Sequence, residues 1–241
     1  MRIALIGYGK MGKIIENIAL QRGHEFVLKI SSKNKSELTP ENLQKADVAI
    51  EFTTPHSAFD HVKLCIDSRV PVVSGSTGWN EKLEEIKVYC NKNNGTLLHA
   101  SNFSIGVNIF FKINQQLAKL MSAYPQYEPT LEEIHHTEKK DAPSGTAVTL
   151  AEDILNILPG KKNWVNHETT DPAFLPVISK RIDPAPGTHH VKYSSDIDDI
   201  EIIHTAHNRM GFALGAVLAA EFVAGKHGVF SMTDVLDAGH K

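Results

Sequence analysis

The first hundred residues of the chain alternate short apolar runs with amphipathic stretches. Arg2 to Ile6 form a compact strand-length run that is apolar from Ile3 on, and the loop Gly7-Tyr8-Gly9-Lys10-Met11-Gly12 leads into Met11, Ile14, Ile15, Ile18 and Ala19, which recur at helical spacing until Gly23. Further apolar runs of strand length occupy 26–30, 48–52, 70–74 and 97–100. Between them, residues 57–67 and 81–91 repeat apolar positions at the helical period, the second with Leu83, Ile86 and Cys90 inward. This order predicts an α/β fold, a Rossmann-type doubly wound parallel sheet domain.

The rhythm changes near Gly106. Residues 107–122 read as a long helix, then 130–134, 177–181, 190–194 and 200–205 as strands. A helix follows Ala147 through Leu150, Ala151, Ile154, Leu155 and Leu158 and stops at Pro159-Gly160, and residues 163–176 read as a long loop. Few helices join these strands, which predicts an α+β substrate domain with an open mixed sheet, one face free to pack on helices or on another subunit. The longest apolar stretch, 212–224, is short for a membrane span and contains Glu221, so it reads as a core or interface helix returning to the first domain. The division expected is a dinucleotide-binding domain over 1–106, rejoined by 207–241, and a substrate-binding and oligomerisation domain over 107–206.

Composition narrows the partners. With 241 residues and 41% hydrophobic content the chain can bury a substantial core, and a net charge of −3 argues against nucleic acid or an anionic membrane as partner. No secretory signal is readable, which makes the cytoplasm the expected compartment. Cys65 and Cys90 fall in helical segments and read as reduced, packed thiols.

Two stretches carry candidate chemistry. The first is the glycine loop. It directly follows a strand and opens a helix, so Gly7 permits the tight turn, Gly9 lets backbone approach a pyrophosphate and Gly12 allows close helix packing, with Tyr8, Lys10 and Met11 between them. Gly75-Ser76-Thr77-Gly78 and Ala100-Ser101-Asn102-Phe103 follow the fourth and fifth strands, where such sheets bind ligands, and are expected to flank a nicotinamide. After the second strand the usual acid for the ribose of NAD is missing. Ser31, Ser32, Lys33, Asn34 and Lys35 stand there, a set suited to a 2′-phosphate and equally readable as a solvated loop, which leaves NADPH or NADH open.

The second stretch, from Glu133 to Thr146, packs His135, His136, Lys139, Lys140 and Asp141 before Pro143-Ser144-Gly145-Thr146 and a helix. Histidine exchanges protons near neutral pH, lysine holds or protonates an anion, and a helix start offers open N–H groups with Ser144 or Thr146 as cap. Together they ask for an anionic substrate, a carboxylate in particular, and a proton transfer. The 13 histidines include the pairs 135/136, 189/190 and 204/207, but partners at these spacings on a strand point to opposite faces, so no metal is expected.

On these residues the chain resembles the dihydrodipicolinate reductase family from end to end. The likeness covers the glycine loop, Glu51-Phe52-Thr53 with Pro55, Gly75 to Gly78, Asn102-Phe103-Ser104 with Gly106, the block His135 to Thr146, Pro186-Gly187-Thr188-His189, His204 to Arg209 with Phe212, and the tail Phe230 to Leu236. The resemblance implies hydride transfer from NADPH or NADH to a cyclic imine dicarboxylate with loss of its 4-hydroxyl as water, on the diaminopimelate route to lysine. It implies that His135 acts as acid/base and Lys139 as proton donor. It implies too that His136, Ser144, Gly145, Thr146 and Arg209 bind substrate and that the assembly is a homotetramer built on the second domain's sheet. Two departures stand out: the glycine loop is one residue shorter than the longer family form, and Ile182-Asp183 follow Arg181 where a glycine is usual. Two rivals are weaker. A semialdehyde dehydrogenase needs a cysteine at a strand or loop end, and a non-catalytic nucleotide sensor has no use for His135, Lys139 and the Ser-Gly-Thr turn together.

Overall fold

The computed structural model describes residues 1–239, which divide into two compact units: residues 1–105 with 209–239, and residues 106–208.

In the first unit the elements run β1 (Arg2–Ile6), α1 (Lys10–Gln21), β2 (Glu25–Ile30), α2 (Pro40–Leu43), β3 (Val48–Glu51), α3 (Pro55–Asp67), β4 (Val72–Ser74), α4 (Leu83–Lys92) and β5 (Thr96–His99). These strands pair in parallel in the order β5-β4-β3-β1-β2, and a returning strand, Gly228–Phe230, adds to the β5 edge in parallel as well. Strand alternation sends Ile3, Leu5, Val48, Ile50, Val73 and Leu98 to one face of this sheet and Ala4, Ile6, Ala49, Val72 and Leu97 to the other. Both faces are buried, as a parallel sheet requires. The expected strand at 70–74 begins only at Val72, because Pro71 accepts a hydrogen bond from Ala49 N (2.8 Å) but has no N–H to return.

The second unit contains most of α5 (Ile105–Met121), then β6 (Glu128–His135), α6 (Gly145–Ile157), β7 (Asn163–Val165), β8 (Phe174–Arg181), β9 (Thr188–Ser194) and β10 (Asp199–Thr205). Its sheet has the order β10-β9-β6-β8-β7, with β9 antiparallel to β6 and β10, and β8 parallel to β6 and β7. Leu131, Leu175, Val177, Val191 and Tyr193 on one face pack against Phe110, Ala118 and Met121 of α5 and Ala147, Leu150, Ala151 and Ile154 of α6. The opposite face carries Ile203, 58% exposed, and the ion pairs Lys180–Glu132 (2.5 Å), Lys192–Asp199 (2.6 Å) and His190–Glu201 (3.3 Å). The stretch 163–176, expected as loop, in fact contains β7 and the start of β8. Three residues are too few to print a period, and pairing of Asn163 with Phe174 is what makes β7 a strand.

After β10 the chain re-enters the first unit as α7 (Met210–Val223), β11 (Gly228–Phe230) and α8 (Met232–Ala238). The last helix opens with a capping box in which Asp234 Oδ2 accepts from Ser231 N (2.7 Å) and Ser231 Oγ (2.8 Å). Helix α7 packs on α1, β3, β4 and β5 through Ala213, Gly215, Ala216, Ala219 and Ala220, and its small residues let backbone approach backbone. At Gly215 an added Cβ would collide with the Phe103 carbonyl. No helix among the described residues is long and apolar enough to cross a membrane.

Gly215→Ala is therefore expected to destabilise the protein by about 1–3 kcal/mol through overpacking, although alanine gains up to about 1 kcal/mol over glycine in helix propensity. Urea denaturation of the two proteins checks the sign; a stabilised variant would show that α7 has room to move.

Candidate functional sites in the two units

In the first unit the sheet order reverses between β1 and β3, and the crevice at their carboxyl ends is a cavity of 510 Å³. Gly7, Tyr8, Gly9, Ser31, Ser32, Lys35, Thr53, Thr54, His56 and His61 line it. Gly7 has φ +109°, and a side chain on it would strike the Phe52 carbonyl; one on Gly12 would strike the carbonyl of Gly7. Gly9 is open, with nothing within 4 Å of an added Cβ, so its backbone faces the cavity unobstructed. Lys10 and Met11 form the first turn of α1 behind this loop.

The loop after β2 is tied by Asn34, which accepts from Ser31 N (2.8 Å) and Ser31 Oγ (2.9 Å) and donates to Lys29 O (2.9 Å). Within that loop Ser32 and Lys35 line the cavity and Lys33 does not. The segments Gly75 to Thr77 and Ala100 to Phe103 follow β4 and β5 on the same edge of the sheet but lie outside this cavity. Phe103 is buried 5.6 Å from the Phe52 ring, and a Cβ at Gly75 would run into that ring. Asn102 Oδ1 accepts from Ser104 N (2.9 Å), shaping the turn after Ser101.

Glu51, at the end of β3, is fully buried. It accepts from Ser74 Oγ (2.6 Å), Ser76 Oγ (2.7 Å), Thr53 N (3.0 Å) and the Thr53 hydroxyl, and faces His61 at 3.9 Å. Burial alone would raise its pKa, but the contacts with His61, Ser74, Thr53 and Ser76 outweigh that and hold it below the ordinary carboxylate range. One carboxylate thus fixes the loops after β3 and β4. The signal for it was in the sequence: a lone acid closing an apolar strand.

In the second unit β6 alternates Pro129, Leu131, Glu133 and His135 toward the helix-covered face. The register pairs Glu133 with His189 of β9, so Glu133, His135 and His189 share that face, all nearly or fully buried. Both Glu133 oxygens accept from Ser144 N (3.1 Å), Oε1 also accepts from Arg181 Nη2 (3.2 Å), and Oε2 lies 3.3 Å from His135 Nδ1 and 3.8 Å from His189 Nε2. Burial pulls the Glu133 pKa up, yet His135 and Ser144 outweigh it and hold the carboxyl far below its usual range. Burial, with the adjacent His135, pushes His189 down to about 3, so this ring is neutral; its Nε2 meets Ser144 Oγ at 3.1 Å.

Ser144 is the N-cap of α6, its Oγ accepting from Ala147 N (3.2 Å). Its own N–H is spent on Glu133, so an anion at this helix start would meet Gly145, whose backbone is open, with Thr146 next in the same turn. Lys139 Nζ is held by both Asp141 oxygens at 2.8 Å, and Lys139 N donates to His136 O (3.2 Å). Arg181 clamps this loop through Lys139 O (3.3 Å) and Asp141 O (2.5 Å). The departure at Ile182-Asp183 reaches the site as well: Ile182 N donates to His135 O (2.8 Å), and Asp183 accepts from Thr137 N (3.1 Å) and Thr137 Oγ1 (2.6 Å). Arg209, expected beside the substrate, is the N-cap residue of α7 and belongs to the first unit.

His189 and His190 face apart on β9, but cross-strand pairing brings together Glu133, His135 and His189, with one ligand atom each within 4.8 Å of the others, a donor set that divalent zinc uses. The guanidinium of Arg181 on the same carboxylate sets a fixed positive charge against a dication there, so the cluster suits protons better than metal.

Residues 1–103 match the amino-terminal part of dihydrodipicolinate reductase and residues 106–236 its carboxyl-terminal part. This chain belongs to the dihydrodipicolinate reductase family. Over 98% of both chains it is 46% identical to the 4-hydroxy-tetrahydrodipicolinate reductase of Christiangramia forsetii. A dipicolinate-bound dihydrodipicolinate reductase from a Paenisporosarcina species superposes with a TM-score of 0.78 at 25% identity, covering 97% of this chain and 98% of that one. Aspartate semialdehyde dehydrogenase II of Vibrio cholerae, at 12% identity and a TM-score of 0.56 over 92% of this chain and 97% of its own, shares the fold alone. The carboxyl-terminal match takes in the whole five-stranded sheet and also α7 and β11, which return to the first unit.

His189 supplies a pH test of the buried cluster. An unfolded histidine takes up a proton near 6.5 while this one resists to about 3, so its contribution to stability is complete above pH 6.5 and is lost as pH falls through that window. Stability measured from pH 7 to 4.5 should fall with a slope that His189→Gln reduces by up to one proton; an unchanged slope would mean the ring is protonated in the fold.

Proposed function

We propose that this protein reduces 4-hydroxy-tetrahydrodipicolinate to tetrahydrodipicolinate with loss of water, using NADPH or NADH, in lysine biosynthesis through diaminopimelate. What carries the reading is the coincidence of His135, Lys139 and the Ser144-capped helix in one strand–loop–helix of a chain 46% identical to such a reductase over its full length. The first unit is the dinucleotide-binding domain and the second the substrate-binding and oligomerisation domain. The glycine geometry fits a dinucleotide: Gly7, Tyr8, Gly9, Lys10, Met11 and Gly12 would hold its pyrophosphate, Ser32 with Lys33 or Lys35 its ribose, and Gly75, Ser76, Thr77, Ala100, Ser101, Asn102 and Phe103 its nicotinamide end. The nicotinamide, when bound, supplies the hydride.

The protein's own residues handle charge and protons. Hydride addition to a conjugated imine builds negative charge on distal atoms, and Lys139, released from Asp141, donates a proton to it. His135 acts as acid/base beside it. His136, Ser144, Gly145, Thr146 and Arg209 anchor the two carboxylates, Gly145 and Thr146 through the start of α6. The helix-free face of the five-stranded sheet, with Ile203 exposed among paired charges, supports assembly into a homotetramer, and the enzyme works in the cytoplasm.

The deciding assay supplies the synthase product made from pyruvate and aspartate semialdehyde and follows nicotinamide absorbance with each cofactor; oxidation of neither would sink the assignment. In the same assay Lys139→Ala and His135→Ala should each lose roughly a hundredfold to ten-thousandfold in kcat with nicotinamide binding intact. Near-normal rates at saturating substrate would remove the roles given to them.

The tied loop after β2 sharpens cofactor choice. NADPH should serve at least as well as NADH. Lys35→Ala should cost about fivefold in kcat/KM for NADPH, the worth of about 1 kcal/mol for an exposed lysine, with a smaller loss at high salt. Lys33→Ala should do less. A strong NADH preference unmoved by either change would place the 2′-hydroxyl away from this loop.

A further inference from the structure

The proton exchanged by His135 has to use one of two ring nitrogens, and the surroundings distinguish them. Residues 133 and 135 point to the same face of β6, which brings Glu133 Oε2 within 3.3 Å of His135 Nδ1. That nitrogen is buried and makes no aligned hydrogen bond among the described residues, so the carboxylate at 3.3 Å is the acceptor placed for its proton. On the other side of the ring, Nε2 faces the backbone of Gly187, where an added Cβ would stand 3.0 Å away, and the ring packs edge-on to His189 at 5.2 Å. The ring is therefore gripped from three elements.

The charges around it are Glu133 on β6, Arg181 on β8, His189 on β9, which faces His204 on β10, and Lys139 with Asp141 on the following loop. His189 is neutral, and Arg181 and Lys139 oppose an imidazolium. Among these groups Glu133 is the carboxylate in contact with the ring.

We infer that Glu133 is a positioning residue for the reaction, holding the proton of neutral His135 on Nδ1 and leaving Nε2 to accept and return a proton as the imidazolium forms and discharges. This rests on the acid/base role proposed for His135. The same carboxylate binds Ser144 N, so it sets the imidazole against the start of α6, where the substrate carboxylate is anchored, and it does so without touching substrate.

Two measurements test it. Nitrogen-15 NMR of the imidazoles, with the His135 signals assigned by their loss in His135→Gln, should show wild-type His135 as the Nδ1–H tautomer when neutral. A proton on Nε2, or an even mixture, overturns the inference whether or not any Glu133 variant folds. Glu133→Gln should abolish that preference, lower kcat by roughly tenfold to a thousandfold with both KM values within about threefold, and move the limb of the kcat–pH profile that reports the imidazole to lower pH by about one unit or more. Glu133→Asp should recover part of the rate. A Glu133→Gln enzyme that loses only thermal stability, with tautomer and pH limb unmoved, makes Glu133 structural. Absence of turnover in the wild type refutes the proposed activity instead, and the wild-type tautomer then stands as the separate result.

Discussion

A carboxylate cannot be taken out of water unless donors replace the water, and each unit of this protein is organised around one such group. Glu51 and Glu133 are both wholly buried, and both stay ionised because hydroxyls, backbone N–H groups and basic side chains converge on them. The donors come from the strand-end loops and, at Glu133, from the neighbouring strands. Glu51 gathers the loops after β3 and β4; Glu133 gathers the start of α6, the guanidinium at the end of β8 and the imidazole two residues on. Loops that would otherwise be the most mobile parts of an α/β sheet are thereby given fixed geometry, in a place where ligands are to be held.

The sequence made the periodic parts legible. Residues 2–6, the glycine loop and the helix after it were readable because an apolar strand, a turn that only glycine can make and a helical stripe agree with one another. The Ser144 cap was readable for the same reason, as a hydroxyl before a patterned helix. What stayed hidden depends on partners distant in the chain. Strand β7 exists through β8, β11 through β5, and His189 joins His135 only through the β6–β9 register. Arg181 looked like the end of a strand and proved to be a clamp on residues 139 and 141. In the loop after β2, Lys33 and Lys35 are indistinguishable by composition, and the turn drawn by Asn34 decides which one lines the cavity.

The block from His135 to Ser144 also shows how a short polar loop is stiffened without a core of its own. Arg181 reaches two of its carbonyls, Asp183 takes both donors of Thr137, and Asp141 holds the Lys139 ammonium. Asp183 thereby gives the base of the loop a carboxylate anchor. The Lys139 side chain thus reaches Asp141 from an otherwise braced backbone.

The helix α7 has a consequence for how the chain is made. It supplies much of one wall of the parallel sheet, covering Ile3, Leu5, Ile50, Val73 and Leu98, yet it is encoded after all of residues 106–208. A ribosome that has released the first five strands has released a sheet with one apolar side covered only in part, by Ile15, Ile18 and Ala19 of α1, and the rest of that side stays uncovered through the synthesis of roughly another hundred residues. The second unit, contiguous in sequence, can complete itself during that interval; the first cannot. The unit begun first is thus the one whose chain is completed last, and an amino-terminal fragment ending before residue 210 is a candidate for chaperone capture or aggregation even though it contains the entire glycine loop.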